Sequence, residues 1–240
     1  MMQLEGALAV KAAILSKRRV IHEIIIDEKK DDRDTAFIVS IAKKQKLTIH
    51  FKERAAIDEL AKGKTHGGIL AITSFRSYQI LDEVFEEQAF YCILEGIEDP
   101  FNLGYCFRAL YAAGCKAVIL PRRNWEKVED VIVKSSAGAS EYLSIVMSDD
   151  FQEEINFFKE KRVPLISAHR KDAVNLYDAD LTQKLCICIG GEMRGLSRIV
   201  LDASNQRVFI PYGKDVKIAL NASSATSVIA FEISRQRGKG

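Results

Sequence analysis

The sequence has no long apolar run. None of its apolar stretches approaches the roughly 18 residues that a membrane-spanning helix needs, and no signal peptide opens it. Both absences predict a cytoplasmic protein without a membrane anchor. The length of 240 residues allows one large domain or two small ones, each with a hydrophobic core.

Cysteine is scarce. The five cysteines are an odd number and are scattered through apolar segments, which argues against a disulfide framework and favours a reducing compartment. Cys186 and Cys188 alternate along a predicted strand and therefore share one face. Because no histidine or further cysteine lies near them in the sequence, we interpret them as buried thiols and expect no metal site.

Two common nucleotide-binding motifs are absent. Neither Gly-x-Gly-x-x-Gly nor Gly-x-x-x-x-Gly-Lys-Ser/Thr occurs, which argues against a Rossmann dinucleotide enzyme and a P-loop NTPase. A Rossmann-type methyltransferase would also carry its glycine loop after its first strand. The glycine turns of this chain cluster late in the sequence instead.

The net charge is small. The 35 basic and 33 acidic residues give a formal charge of +2, so the bulk charge does not indicate a nucleic-acid-binding protein. Three local clusters could contact phosphates or could equally be solvated helix ends and loops. They are Lys17-Arg18-Arg19, Lys43-Lys44-Gln45-Lys46 and Arg122-Arg123.

Helical and strand patterns alternate along the chain. Residues 1–73 predict a small α/β domain, residues 74–88 a polar connection with at most a short helix, and residues 89–240 a larger α/β domain. Strands that alternate with helices imply a mostly parallel sheet with helices on both faces.

Two predicted strands near the carboxyl end finish in glycine-containing turns beside the start of a helix. The strand 185–189 is followed by Gly190-Gly191-Glu192-Met193-Arg194-Gly195, and the run 207–213 ends in Ile210-Pro211-Tyr212-Gly213. The helix opens at Leu220-Asn221-Ala222-Ser223-Ser224. These segments are either ordinary turns of an α/β sheet or a concave site rich in backbone N–H and C=O groups, suited to a small polar ligand.

A further motif, upstream in the sequence, helps to choose between these two interpretations. Asn102 and Gly104 form Asn-x-Gly, and Arg108 follows four residues after the glycine. Together with Gly-Gly-Glu-x-x-Gly, Ile-Pro and Leu-Asn-x-Ser, in this order, the chain resembles the SpoU/TrmH family of SPOUT RNA methyltransferases. Residues 5–10 and 65–71 also resemble the N-terminal domain of that family, which is related to small ribosomal RNA-binding proteins.

The resemblance implies a deep trefoil knot, S-adenosylmethionine as methyl donor, and transfer to a ribose 2′-hydroxyl of tRNA or rRNA. It also implies a homodimer whose site borrows residues across the interface. The residues that correspond to the donor site are Gly190, Gly191, Glu192, Gly195, Ile210, Leu220, Asn221 and Ser223. Asn221 and Ser223 are equally good helix N-cap residues, and Glu192 could hold the backbone of its own motif or a polar group of the ligand.

In the family that the chain resembles, the arginine corresponding to Arg108 lies at the ribose hydroxyl, and the asparagine corresponding to Asn102 supports it. An arginine is too basic to be an efficient general base, so we expect Arg108 to orient phosphate and ribose and to stabilise the developing alkoxide. A helix-surface arginine is the alternative. Glu141 matches a family segment for which we expect structural support, and His66 is either a turn residue or part of the RNA-binding domain's contact surface.

The chain departs from the family at one place. Ala219 stands where the family usually has serine, and the loop between Ile210 and Leu220 is one residue longer. A missing hydroxyl typically costs about 1 kcal/mol of hydrogen bonding, which would slow catalysis without abolishing it. It could also mark a changed substrate or an enzyme that has lost its activity. Two alternatives stay open for the chain as a whole: a noncatalytic RNA-binding or ribosome-assembly factor, and methylation of a base rather than a ribose.

Overall fold

The computed structural model describes residues 1–214 and 219–238. The strands in these ranges are β1 (Met2–Glu5), β2 (Ile21–Asp27), β3 (Thr48–Lys52), β4 (Ile69–Thr73), β5 (Phe90–Glu95), β6 (Ala117–Pro121), β7 (Ser144–Ser148), β8 (Leu165–Ala168), β9 (Val174–Asn175), β10 (Leu185–Gly190) and β11 (Gln206–Phe209). The α-helices are α1 (Ala7–Ser16), α2 (Arg33–Lys44), α3 (Arg54–Leu60), α4 (Leu81–Val84), α5 (Pro100–Ala112), α6 (Glu129–Ser135), α7 (Ala139–Tyr142), α8 (Gln152–Glu160), α9 (Arg198–Ala203) and α10 (Ala222–Gln236). None of these helices is long and apolar enough to cross a membrane.

The chain folds into two compact units. The first contains residues 1–77 and 125–142, and the second contains residues 78–124 and the chain from 143 onward. The backbone therefore passes between the units three times. The domain boundaries predicted from the sequence, 1–73, 74–88 and 89–240, stay predictions.

The first unit is a small α/β fold. Its sheet has the order β1-β4-β2-β3, with β2 and β3 parallel and the other pairs antiparallel. Apolar residues of α1 and α2, including Ile14 and Ile38, pack on one face of this sheet, and Ile57 of α3 packs on the other. Val133 of α6 belongs to the same core as Ile14, so residues 125–142 are part of this unit.

Arg19 is buried inside the first unit. Its Nε and Nη2 atoms each donate to a carboxylate oxygen of Glu141 at 2.7 Å, and Nη2 also donates to Glu129 at 2.7 Å. Burial opposes the charge, but the two buried carboxylates outweigh it, so the pKa of Arg19 is raised. A phosphate-contacting role for Arg19 is therefore wrong, and Glu141 has a structural role within this unit.

His66 lies in the turn before β4. The residue is 3% exposed, its Nδ1 accepts a hydrogen bond from the N–H of Gly68 at 3.2 Å, and its Nε2 lies 3.0 Å from Asp58 Oδ1. Gly67 and Gly68 both have positive φ, 59° and 80°, a conformation that favours glycine. This geometry favours the interpretation of His66 as a turn residue.

The second unit contains a parallel sheet with the order β7-β6-β5-β10-β8-β11-β9. Tyr91 and Cys186 face a core that includes residues of α8 and α9. The alternate residues of the central strands, such as Cys92 and Ile187, are also buried, and α10 packs against β10. The predicted mostly parallel sheet with helices on both faces is confirmed, whereas the trefoil knot stays a prediction.

Short elements differ from the sequence prediction. β1, α7, β9 and α9 were not predicted, because elements of two to six residues carry too little periodicity and form through tertiary pairing. The apolar pattern predicts a helix over residues 103–113, but α5 begins at Pro100, since Asp99 caps it and proline favours the first helical position. Strand β11 ends at Phe209, before the breaker residues Pro211 and Gly213, as the pattern predicted.

Candidate functional site

The candidate site lies at the carboxyl edge of the second unit's sheet. β5 and β10 pair in parallel and end at the same level, with Gly190 opposite Glu95. The chain after β5 leads into α5, and the chain after β10 forms the glycine turn, residues 190–195. Ligands of open parallel sheets bind outside the carboxyl ends of the strands, and the predicted residues gather at this edge.

The glycine turn packs backbone against backbone on the loop that follows β5. The N–H of Gly191 donates to the carbonyl of Glu95 at 2.7 Å. A Cβ on Gly191 would lie 2.0 Å from the carbonyl oxygen of Gly96, and one on Gly190 would lie 2.4 Å from the carbonyl carbon of Gly195. Gly190 and Gly191 are therefore required by the protein's own packing, before any ligand is considered.

Glu192 connects the glycine turn to helix α10. Its Oε1 accepts a hydrogen bond from the backbone N–H of Ala222, the first residue of that helix, at 2.8 Å. The first N–H groups of a helix lack partners within the helix and carry partial positive charge, so a carboxylate is stabilising there. The predicted roles of Glu192 were to hold the backbone of its own motif or a ligand group; the structure shows it holding the backbone of α10 instead, and its contact with a ligand stays a prediction.

The N-terminal ends of α5 and α10 meet at the site. Asn221 is the N-cap of α10, and its Oδ1 accepts from the N–H of Ser224 at 2.8 Å and from the hydroxyl of Ser223 at 3.1 Å. The Ser223 hydroxyl also lies 3.5 Å from Oδ1 of Asn102, in the first turn of α5. The N-cap role of Asn221 is thus present, and its contact with a ligand stays a prediction.

The loop between β11 and α10 contributes Ile210 and Leu220. Ile210 is half-buried directly after β11, and Leu220 is 39% exposed. The hydroxyl of Tyr212 accepts a hydrogen bond from the N–H of Leu220 at 2.9 Å, which together with the nearby Arg170 lowers the pKa of Tyr212. The two ends of this loop are therefore tied together by one tyrosine.

Arg108 is on the exposed side of α5. Within residues 1–214 and 219–238 it makes no hydrogen bond or ion pair. It follows Asn102 by six residues, which places the two on different faces of the helix and about 9 Å apart along its axis. The structure therefore brings Asn102 to the start of α10, and leaves Arg108 exposed on another face of α5.

Three residues of the site were missed by the sequence analysis. Glu95 Oε2 accepts from the N–H of Ser197 at 2.8 Å and so holds the chain just beyond the glycine turn. Asp99 caps α5 by accepting from the N–H of Asn102 at 2.9 Å, and the Asp-Pro pair before a helix was a usable signal for it. Tyr212 gave no such signal, because its contact depends on a loop closing in space.

The cysteines of the second unit are buried, which makes their thiols unreactive. Cys106 lies 3.5 Å from the Thr226 hydroxyl, and burial raises the pKa of Cys106 to about 12. Burial also raises the pKa values of Cys92 and Cys186 well above their ordinary value. Among the residues that the structure describes, no group of three or more His, Cys, Asp or Glu side chains is placed to hold a metal ion.

Comparison with known proteins gives two family matches and full-length relatives. Residues 89–231 match the SpoU rRNA Methylase family, and residues 3–79 match the RNA 2′-O ribose methyltransferase substrate-binding family. The 23S rRNA (guanosine-2′-O-)-methyltransferase RlmB of Pectobacterium atrosepticum is 30% identical over 97% of both chains. The protein of the same name from Shewanella oneidensis is 32% identical over 97% of this chain and 96% of its own.

Solved structures share the fold. The SpoU methyltransferase AviRb from Streptomyces viridochromogenes, in complex with the cofactor AdoMet, matches with a TM-score of 0.80 at 19% identity, over 100% of this chain and 91% of its own. A crystal structure of an RNA 2′-O ribose methyltransferase matches with a TM-score of 0.79 at 20% identity, over 98% and 88%. By its family matches and its full-length relatives, the chain belongs to the SpoU rRNA methylase family.

Proposed function

We propose that this protein transfers a methyl group from S-adenosylmethionine to a ribose 2′-hydroxyl of RNA, using the donor-site residues predicted from the sequence. The observation that supports the site most directly is the convergence of three segments. The glycine turn contacts the loop after β5 through Gly191 and contacts α10 through Glu192. Asn102 and Ser223 then join the starts of α5 and α10.

The residues at this edge fit an adenosyl group. A Cβ on Gly195 would meet no atom of the described residues within 4 Å, so this end of the turn leaves room for the edge of an adenine ring to meet backbone donors and acceptors. Ile210 and Leu220 supply apolar surface for its flat face. When bound, S-adenosylmethionine supplies an electrophilic methyl group on a sulfonium.

The role proposed for Arg108 is electrostatic. Its guanidinium is exposed on α5, where it can approach RNA. A guanidinium is too basic to remove a proton efficiently, but it can bind the phosphate beside the target ribose and stabilise negative charge on the 2′-oxygen. Asn102, held near Ser223, supports the same region from the donor side.

A homodimer accounts for the position of Arg108. Phe101, Tyr105 and Arg108 are spaced at i, i+4 and i+7 and form one exposed stripe of α5, where the two aromatic residues are 54% and 49% exposed. Phe231 of α10 is 52% exposed as well. A second copy of the chain packed on these aromatic residues would bury them and carry Arg108 to the donor site of its partner.

The substrate proposed is ribosomal RNA. The curated relatives that span the full chain are named for guanosine in 23S rRNA, so a guanosine ribose of the large-subunit RNA is the first candidate, with tRNA as the alternative. Buried free thiols fit the reducing conditions of the cytoplasm, where this RNA is modified.

The experiment that tests the function has two parts. Calorimetry with S-adenosylmethionine tests donor binding, and an absence of binding would favour a noncatalytic RNA-binding or assembly factor. Mapping 2′-O-methylation across total RNA from cells with and without the protein identifies the nucleotide. Mass spectrometry of the product nucleoside separates methylation of the ribose from methylation of the base.

A further inference from the structure

Arg123 is anchored beside the start of α5. It lies two residues after β6, is exposed, and its Nη2 donates to the backbone carbonyl of Glu98 at 3.1 Å. Glu98 directly precedes Asp99, the N-cap of α5. One guanidinium is therefore fixed to the loop that places Asn102 at the candidate site.

Arg170 is anchored on the other side of the site. It follows β8 by two residues and is exposed, and its guanidinium carbon lies 4.4 Å from the centre of the Tyr212 ring. The hydroxyl of Tyr212 accepts from the N–H of Leu220. A second guanidinium is therefore held by a cation–π contact to the loop that carries Leu220.

The two arginines stand on either side of the central strands. In the sheet, β6 and β8 are separated by β5 and β10, so the loops that carry Arg123 and Arg170 lie three strand spacings apart, about 14 Å. Arg122, next to Arg123, forms an ion pair in which its Nε lies 2.6 Å from Asp149 Oδ1, and the charge of Glu98 acts on the Arg123 guanidinium.

We propose that Arg123 and Arg170 bind backbone phosphates of the RNA on opposite sides of the target nucleotide and so position its ribose at the donor site. This inference rests on the proposed function and names the part of that site that holds the RNA. Guanidinium groups match phosphate geometry and are pre-organised by their loop contacts, which limits the entropy lost on binding. Both are positioning residues and take no part in the methyl transfer itself.

The test uses full-length protein with Arg123→Gln, Arg170→Gln and both together. Arg162→Gln is the matched control, because Arg162 is exposed in the loop before β8, at the opposite edge of the sheet. Binding of a fluorescein-labelled single-stranded RNA of mixed sequence is followed by anisotropy over a series of salt concentrations. Each single change should raise Kd about five- to tenfold and reduce the slope of log K against log salt by about 0.7.

In the double variant the slope of log K against log salt should be smaller by about 1.4, while the control keeps the slope of the natural protein. Arg123→Lys and Arg170→Lys should largely keep it, because lysine keeps the charge. In methyl-transfer assays with total rRNA from cells lacking the protein, KM should rise with kcat nearly unchanged. Calorimetry with S-adenosylmethionine should show unchanged donor affinity in every variant.

An unchanged salt slope in the double variant would overturn the inference. Loss of donor binding together with a lowered melting temperature would also overturn it, since the two arginines would then only stabilise their loops. The anisotropy assay needs no methyl transfer. If the natural protein does not bind S-adenosylmethionine but the salt slopes change as expected, the result counts against the proposed function. The inferred phosphate contacts would still hold.

Discussion

The carboxylate of Glu192 accepts a hydrogen bond from the backbone N–H of Ala222 at 2.8 Å. The two residues are thirty positions apart in the sequence, and their contact fixes the glycine turn to the first turn of α10. The same helix start carries Asn221 and Ser223, so one hydrogen bond sets the spacing between two groups of predicted donor-site residues.

Removal of this contact should weaken donor binding. We expect Glu192→Ala to raise the Kd for S-adenosylmethionine about three- to tenfold, because the turn and the helix lose a charge-assisted hydrogen bond. Glu192→Gln keeps an acceptor oxygen and should stay within about threefold. Calorimetry measures both, and equal affinity of the alanine variant and the natural protein would contradict the prediction.

Alanine at Gly191 should destabilise the second unit. Its Cβ would lie 2.0 Å from the carbonyl oxygen of Gly96, so the backbone has to shift, and we expect the free energy of unfolding to fall by about 1–3 kcal/mol. Gly213→Ala is the matched control, since a Cβ there meets no atom of residues 1–214 and 219–238 within 4 Å, and should change stability by less than about 0.5 kcal/mol. Urea unfolding compares the two, and equal losses would count against the packing argument.

Arg108→Ala should lower kcat for methyl transfer about a hundredfold or more, because charge on the 2′-oxygen loses its partner. Donor affinity, measured by calorimetry, should not change. If Arg108 serves the donor site of a partner subunit, an equal mixture of Arg108→Ala and Glu192→Lys subunits, after exchange, should recover roughly a quarter of the natural activity. Glu192→Lys puts a positive charge in the predicted binding site of the cationic methyl donor. No recovery would mean that each chain completes its own site.

Substitution of Arg19 should lower the free energy of unfolding of the first unit. Arg19→Met removes the guanidinium that pairs with the buried Glu129 and Glu141, which costs about 3–5 kcal/mol. Replacing the two carboxylates as well, with Glu129→Met and Glu141→Leu, should recover much of this loss. The control is Arg198→Met, which breaks an exposed pair with Asp202 and should cost less than about 1 kcal/mol. Urea unfolding provides the measurement, and an Arg19→Met protein as stable as the control would refute the assignment.

The thiols should resist modification in the folded protein. Burial raises the pKa of Cys106 to about 12 from an ordinary value of 9.0, so at about pH 8 it is almost wholly protonated, and thiolate is the reactive form. A maleimide reagent should label none of the five buried cysteines in the native protein and all five in urea. Because the folded state holds the Cys106 proton more tightly, stability should fall as the pH rises from about 9 towards 12. Native labelling at Cys106 would contradict this.

The sequence predicted the long elements well because their apolar residues recur with a clear period. Strand β10 ends one residue after its predicted end, and helix α10 begins within the predicted opening segment, residues 220–224. The donor-site residues were predicted through the resemblance, and the structure brings Gly191, Glu192 and Ser223 into one place. Their contacts with a ligand stay predictions.

Other features depend on distant parts of the chain and left no local signal. Arg19 followed a helix as part of a basic run, and only the folded structure shows that Glu129 and Glu141 meet it. Gly191 looked like a ligand-binding residue, yet the nearest atom to its missing Cβ belongs to Gly96. In each case the partner lies too far away in sequence for a pattern to indicate it.

The packing of residues 125–142 on the N-terminal unit limits how this protein can be dissected. A fragment that starts at residue 78, made to isolate the chemistry from the RNA-binding part, would still carry α6 and α7 but would lack Arg19 and the apolar neighbours of Val133. Two carboxylates that were buried as ion pairs would face water beside an uncovered aliphatic surface. Such a fragment should aggregate unless α6 and α7 are also deleted from it and replaced by a short linker between β6 and β7.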